Sequence, residues 1–211
     1  MKRGFYLRLA LDGMRKNKRL YIPYLLTCAG MVMMFYILAG LTFSPVINSM
    51  RGGDSITMVL FLGTFVIGFF ALLFLFYTNA FLIRRRNKEF GLYNILGMNK
   101  HNISRILLWE TFLSLLFSLA AGLCGGLLFS KFAELFLIRM AGEEATYSLS
   151  VEPRSIFAAV IFFSAIFGVI LIVSLTRISL TKPLDLLKSE SAGEKPPKAN
   201  WLFAIAGVII L

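Results

Sequence analysis

From Ser55 to Ile83 the chain reads SITMVLFLGTFVIGFFALLFLFYTNAFLI without one charge, and Arg84 to Glu89 follow as RRRNKE. At 1.5 Å per helical residue the uncharged run is about 42 Å long, more than the roughly 30 Å of hydrocarbon in a bilayer. Such a run is a membrane-crossing helix, and the arginines mark where it leaves the lipid. Being longer than the bilayer, it must tilt, bend near Gly63 or Gly68, or project into the cytoplasm. Projection is the expectation, because it lifts the basic segment clear of the membrane.

Three further uncharged runs, Leu20 to Met50, Thr111 to Ser130 and Ser155 to Thr176, are also long enough to cross. The chain is 58% apolar and only 16% charged, whereas soluble domains carry about 25% charge. The fold class is therefore an all-α integral membrane protein with four transmembrane helices. The residues from Trp201 to Leu211 rise only about 16 Å, and they are expected to begin a truncated fifth helix that continues in a longer protein.

Charge sets the orientation, because Lys and Arg stay on the cytoplasmic side of short loops. Residues 1–19 hold seven of them, 84–105 hold six and 177–198 hold five, leaving only Arg51, Lys131, Arg139 and Arg154 for the other side. The N-terminus is thus cytoplasmic. The net charge of +11 reads as a topology signal with attraction to anionic membrane lipid, and no nucleic-acid partner is needed to explain it.

Residues 4–19, turned at 100° per residue, place Arg8, Asp12, Arg15, Lys16 and Arg19 opposite Tyr6, Leu7, Ala10 and Met14. This predicts an amphipathic interfacial helix over 1–19, followed by the first span and a short external loop over 20–54. The third span carries Ser118, Gly122 and Gly126 at four-residue spacing, a seam where helix backbones can approach closely; Ser164 and Gly168 repeat it more weakly in the fourth. Cys28 and Cys124 fall at different depths, so both are expected to be free packing residues. Residues 189–200, with Gly193, Pro196 and Pro197, read as a cytoplasmic linker.

Catalytic chemistry is missing. No phosphate loop occurs, the single histidine, His101, has no ligand at metal spacing, and no nucleophile elbow or zinc-helix motif exists. The expectation is a non-enzyme with no metal and no cofactor.

The basic segment carries the binding chemistry. As a helix starting at Lys88, it puts Leu92, Ile95 and Leu96 on one stripe and Glu89, Phe90, Tyr93 and Asn94 on the other, with Gly97 placed to end it. The apolar stripe is expected to rest on the bilayer or bundle, leaving Lys88, Glu89, Phe90, Tyr93 and Asn94 as a docking face. Glu110, entering the third span near the inner boundary, needs a partner, and the cluster Arg84 to Arg86 can supply it, with Arg85 taken as the ion-pair residue.

The string Arg85 to Met98 (RRNKEFGLYNILGM), then Ile103, Ile106, Glu110 and the glycine-rich third span, resembles the signature of FtsX-like permeases of ABC transporters. The likeness covers about Ile56 to Lys188, giving a permease domain over 55–188. The Bce-type branch, associated with bacitracin and other peptide antibiotics, is most similar, because the loop after the first span is short here. The resemblance implies a bacterial plasma-membrane permease subunit. Its coupling helix, Lys88 to Gly97, would seat in a separate ATP-binding subunit to export, remove or sense antimicrobial peptides or envelope lipid complexes. A peptide substrate and a sensor histidine kinase are further implied partners. The alternative is a non-transport mechanotransmitter or scaffold controlling an envelope enzyme or kinase.

Overall fold

The computed structural model describes residues 4–49, 52–95, 97–140 and 152–180. Among the described residues six helices follow one another: α1 (Gly4–Lys16), α2 (Lys18–Thr42), α3 (Pro45–Ser49), α4 (Gly53–Ile95), α5 (Lys100–Met140) and α6 (Pro153–Leu180). Four of them, α2, α4, α5 and α6, are long and apolar enough to cross a membrane. Their polar backbone groups are satisfied within the helix, which is what hydrocarbon demands.

α4 is one unbroken helix of 43 residues, about 64 Å long. It does not pause at the arginines. The basic segment is the C-terminal tip of this helix and continues the span without a break, so its helical phase is set by the apolar residues before it. The helix ends by Gly97, whose φ of 86° lies in the left-handed region, while the Met98 amide donates to the Tyr93 carbonyl at 2.9 Å. That six-residue closure is the Schellman stop.

The centre of the bundle is the pairing of α2 with α5. Tyr21 donates to Glu110, and Ser44, just past the end of α2, donates to Glu134, sequence separations of 89 and 90. A Cβ on Gly122 would lie 2.5 Å from Val32 Cβ and 2.8 Å from the Ala29 carbonyl oxygen, and one on Gly126 would lie 2.7 Å from Tyr36 Cδ1. Residue n of α2 therefore faces residue n+90 of α5 along the whole contact: the helices run parallel in one register, close enough that only glycine fits at those crossings. The buried row of α5 repeats every four residues through Ile106, Glu110, Ser114, Ser118, Gly122, Gly126, Ser130, Glu134 and Ile138.

α6 packs differently from the small-residue reading. Its buried positions include Ala159, Phe163, Phe167 and Ile170, whereas Ser164 is exposed and nothing lies within 4 Å of a Cβ added at Gly168. Phenylalanine, stacked through Phe162 on Phe35 at 4.8 Å between centroids, fills the space a glycine seam would have closed. Asn79 Nδ2 donates to Ser174 Oγ at 3.0 Å and ties α4 to α6. Cys28 is buried in the core, while Cys124 is free and faces outward; packing is the role of the first only.

α1 keeps its amphipathic pattern but spends its apolar face on protein. Tyr6 and Ala10 pack against Ile106 of α5, with Leu9, Met98, Trp109 and Leu113 around them. Arg8, Arg15 and Lys16 remain exposed.

Candidate functional site at the inner end of the bundle

Four helices meet at Arg86. Its Nη1 donates to Glu110 Oε2 of α5 and to Tyr21 Oη of α2, both at 2.5 Å, and its Nε donates to Glu89 Oε2 at 3.1 Å. Tyr21 Oη in turn donates to Glu110 Oε2 at 3.1 Å. Asn17, at the corner between α1 and α2, donates through Nδ2 to Glu89 Oε1 at 2.7 Å. The guanidinium carbon also lies 5.0 Å from the centroid of Phe90 and 5.4 Å from that of Tyr21, a placement that favours the cation.

The Arg86 and Glu110 side chains are each 3% exposed. Burying two charges is unfavourable unless their partners are complete, and removing one of such a pair costs about 3–5 kcal/mol. The pair therefore fixes where α4 crosses α5, two helices that touch little elsewhere. α1 closes over it: a Cβ on Gly13 would lie 3.2 Å from Glu110 Oε1 and 3.3 Å from Arg86 Nη2.

The ion pair expected between Glu110 and Arg85 is corrected by this geometry. Arg85 is exposed, with its guanidinium 5.2 Å from the Phe81 ring. Of three consecutive arginines, each turned 100° from the last, only Arg86 continues the inward row of Ala71, Leu75 and Leu82.

The docking face is reversed as well. Phe90 is 0% exposed and packs with Ile83, Ile103, Leu107 and Ile178, and Tyr93 is half-buried against the same cluster. Burial, reinforced by the Glu89 carboxylate, holds the Tyr93 phenol above its ordinary range and so keeps it neutral. Glu89 is engaged by Asn17 and Arg86. Leu92 and Ile95, expected to rest on the bundle, are 52% and 65% exposed. Leu96 and the side chains of Lys88 and Asn94 lie outside the described residues. The inner tip of α4 thus presents leucine and isoleucine, with the aromatic ring holding it from behind.

A second polar cluster closes the outer end of the α2 and α5 seam. Glu134, 8% exposed, accepts from Ser44 Oγ at 2.5 Å and from Lys131 Nζ at 2.8 Å. A cavity of 20 Å³ beside it, about the size of one water, is lined by Tyr36, Gly40, Ser130 and Glu152 among others. Sequence reasoning placed Ser118, Gly122 and Gly126 on one row, where they lie, and did not extend the row four residues at a time to Ser130 and Glu134. No group of three or more His, Cys, Asp or Glu with metal-holding geometry occurs among the described residues.

A long helix held near its C-terminal end by a buried ion pair, with an apolar tip, stands in a bundle whose four long helices are apolar enough to cross a membrane. The family model for the FtsX-like permease C-terminal region matches residues 60–183, more than half of the chain, and the chain belongs to the FtsX-like permease family. The uncharacterized ABC transporter permease YvcS of Bacillus subtilis is 29% identical over 193 residues, covering 90% of this chain and 30% of that protein. The bacitracin export permease protein BceB of Bacillus subtilis is 30% identical over 212 residues, covering 97% and 32%. BceB of Halalkalibacterium halodurans is 27% identical over 197 residues, covering 93% and 30%. The chain spans about a third of the length of these curated relatives. Such relatives and four spanning helices make it a multi-pass protein of the plasma membrane.

Proposed function

We propose that this chain forms part of the permease subunit of an ABC transporter that exports, removes or senses a peptide antibiotic or an envelope lipid complex. The ATP-binding subunit is a separate protein, and catalysis belongs to it. The substrate class follows from BceB, described as a bacitracin export permease. Arg8, Arg15, Lys16, Lys18, Arg19, Arg84 and Arg85 are exposed near the inner membrane boundary and would face anionic headgroups. A sensor kinase is a further partner of the same complex.

The observation that carries the reading is the pair Leu92 and Ile95, exposed at the end of a helix that Arg86 and Glu110 hold in place. Exposed aliphatic side chains beyond the bilayer, rimmed by polar residues, suit a groove on a soluble subunit. Force applied there travels along α4, because one continuous helix cannot take it up locally. The test is L92D and I95D in the full-length protein, with co-purification of the ATP-binding subunit and peptide-antibiotic resistance as readouts. Both should fall together. Retained association and resistance would reject this interface.

A further inference from the structure

A single residue, Asn17, separates α1 from α2, with φ of −100° and ψ of 29°. Its backbone closes the corner: the amide donates to the Gly13 carbonyl at 3.1 Å, and the carbonyl accepts from the Leu20 and Tyr21 amides at 2.9 and 3.1 Å. Asparagine at the start of a helix ordinarily turns its side chain back to accept from the first free amides. This one makes no such bond. Its Nδ2 donates instead to the Gly13 carbonyl at 3.2 Å and, 72 residues away in sequence, to Glu89 Oε1 at 2.7 Å.

The start of α2 has a matching need. It opens with Lys18 and Arg19 and has no acidic residue in its first turn, the wrong sign for the positive end of a helix dipole. Glu89 brings a carboxylate there from α4. One turn further along α2, Tyr21 accepts from Arg86 Nη1. Asn17 with Glu89 and Tyr21 with Arg86 are thus successive rungs between the first turn of α2 and the end of α4, and the bond from Arg86 Nε to Glu89 Oε2 joins them. At 100° per residue, Glu89 and Phe90 lie about 60° and 40° to opposite sides of Arg86. Phe90 seats one flank of the tip against Ile103 and Leu107 of α5 and Ile178 of α6. Glu89 seats the other flank against the corner of α1 and α2.

We propose that Asn17 is a positioning residue for the docking tip: its bond to Glu89 fixes the rotation of the last turns of α4, so that Leu92 and Ile95 face the ATP-binding subunit and a push on the tip reaches the start of α2. The inference rests on the reading in which those two residues meet that subunit. A side chain that served α2 alone would cap it, and Asn17 forgoes the cap to hold Glu89. Aspartate caps helices as well as asparagine does. It has no donor, however, and would set a second carboxylate against Glu89.

The experiment uses the full-length permease, as N17D and as N17D/E89Q, with the purified ATP-binding subunit titrated onto it and peptide-antibiotic resistance measured in cells. In the double variant the new amide at position 89 donates to the new carboxylate at position 17, while its carbonyl oxygen still accepts from Arg86 Nε, so the rung is rebuilt with donor and acceptor exchanged. N17D should weaken association about tenfold, the scale of one hydrogen bond to a charged group, and lower resistance, with the melting temperature of the permease unchanged. The double variant should restore both. Unchanged association in N17D, a double variant as weak as N17D, or a melting temperature that falls in step with association overturns the positioning role. If N17D binds normally while L92D and I95D release the subunit, only this role falls; if L92D and I95D retain it, the docking reading itself falls.

Discussion

Arg86 of α4 donates to Glu110 of α5 at 2.5 Å, where each side chain is 3% exposed. This contact joins the C-terminal tip of α4 to the helix that lines the small-residue seam. Glu110→Ala should destabilise the purified full-length protein by about 3–5 kcal/mol, because Arg86 is left buried without its main counter-charge. The double variant R86M/E110L should recover most of that loss. Thermal unfolding in detergent decides it: a double variant as unstable as the single one would show that the pair does more than hold the crossing.

Phe90 and Leu92 lie two residues apart and should behave oppositely. Phe90→Ala empties a filled site and should cost about 3–5 kcal/mol. Leu92→Ala, at an exposed position, should change stability within about 0.5 kcal/mol while weakening association with the ATP-binding subunit. Melting temperature and co-purification, read on the same samples, separate the two effects.

Much of the fold was legible from the sequence: four helices long enough to span and the row of Ser118, Gly122 and Gly126 follow from run length and four-residue spacing. The face of the α4 tip was not. Starting a new helix at Lys88 let the local apolar stripe of Leu92 and Ile95 choose the phase. In the structure α4 is continuous, so Ala71, Leu75 and Leu82, about two to five turns earlier, set the phase and turn Phe90 inward. The same continuity selects Arg86 over Arg85. The outer Glu134 was hidden for a different reason: it follows the uncharged run of the third span, and only four-residue steps along α5 from Gly126 carry it onto the buried row.

Glycines on the two seams give a matched comparison. Gly122→Ala places a methyl 2.5 Å from Val32 Cβ and 2.8 Å from the Ala29 carbonyl oxygen, and should destabilise by about 1–3 kcal/mol through overpacking. Gly168→Ala meets nothing within 4 Å and should stabilise by up to about 1 kcal/mol through helix propensity. Equal effects on thermal unfolding would contradict the assignment of α5 as the close-packed helix.

Gly13 tests whether α1 is a cover for the buried pair or an independent membrane anchor. Gly13→Val adds bulk where a Cβ is already 3.2 Å from Glu110 Oε1, and should lift α1 and speed proteolytic cleavage near Asn17 by several-fold. Gly4→Val, where nothing lies within 4 Å, should leave cleavage unchanged. Indistinguishable digestion of the two variants would detach α1 from the site.

The central claim is that α4 offers Leu92 and Ile95 to the ATP-binding subunit while Phe90 holds the tip from within. It is tested most directly by placing a photo-activated cross-linker at positions 90, 92 and 95 of the full-length permease, one at a time, in the assembled transporter. Positions 92 and 95 should cross-link to the ATP-binding subunit, and position 90 should cross-link only within the permease. Capture of that subunit from position 90, with none from 92 and 95, would contradict the account.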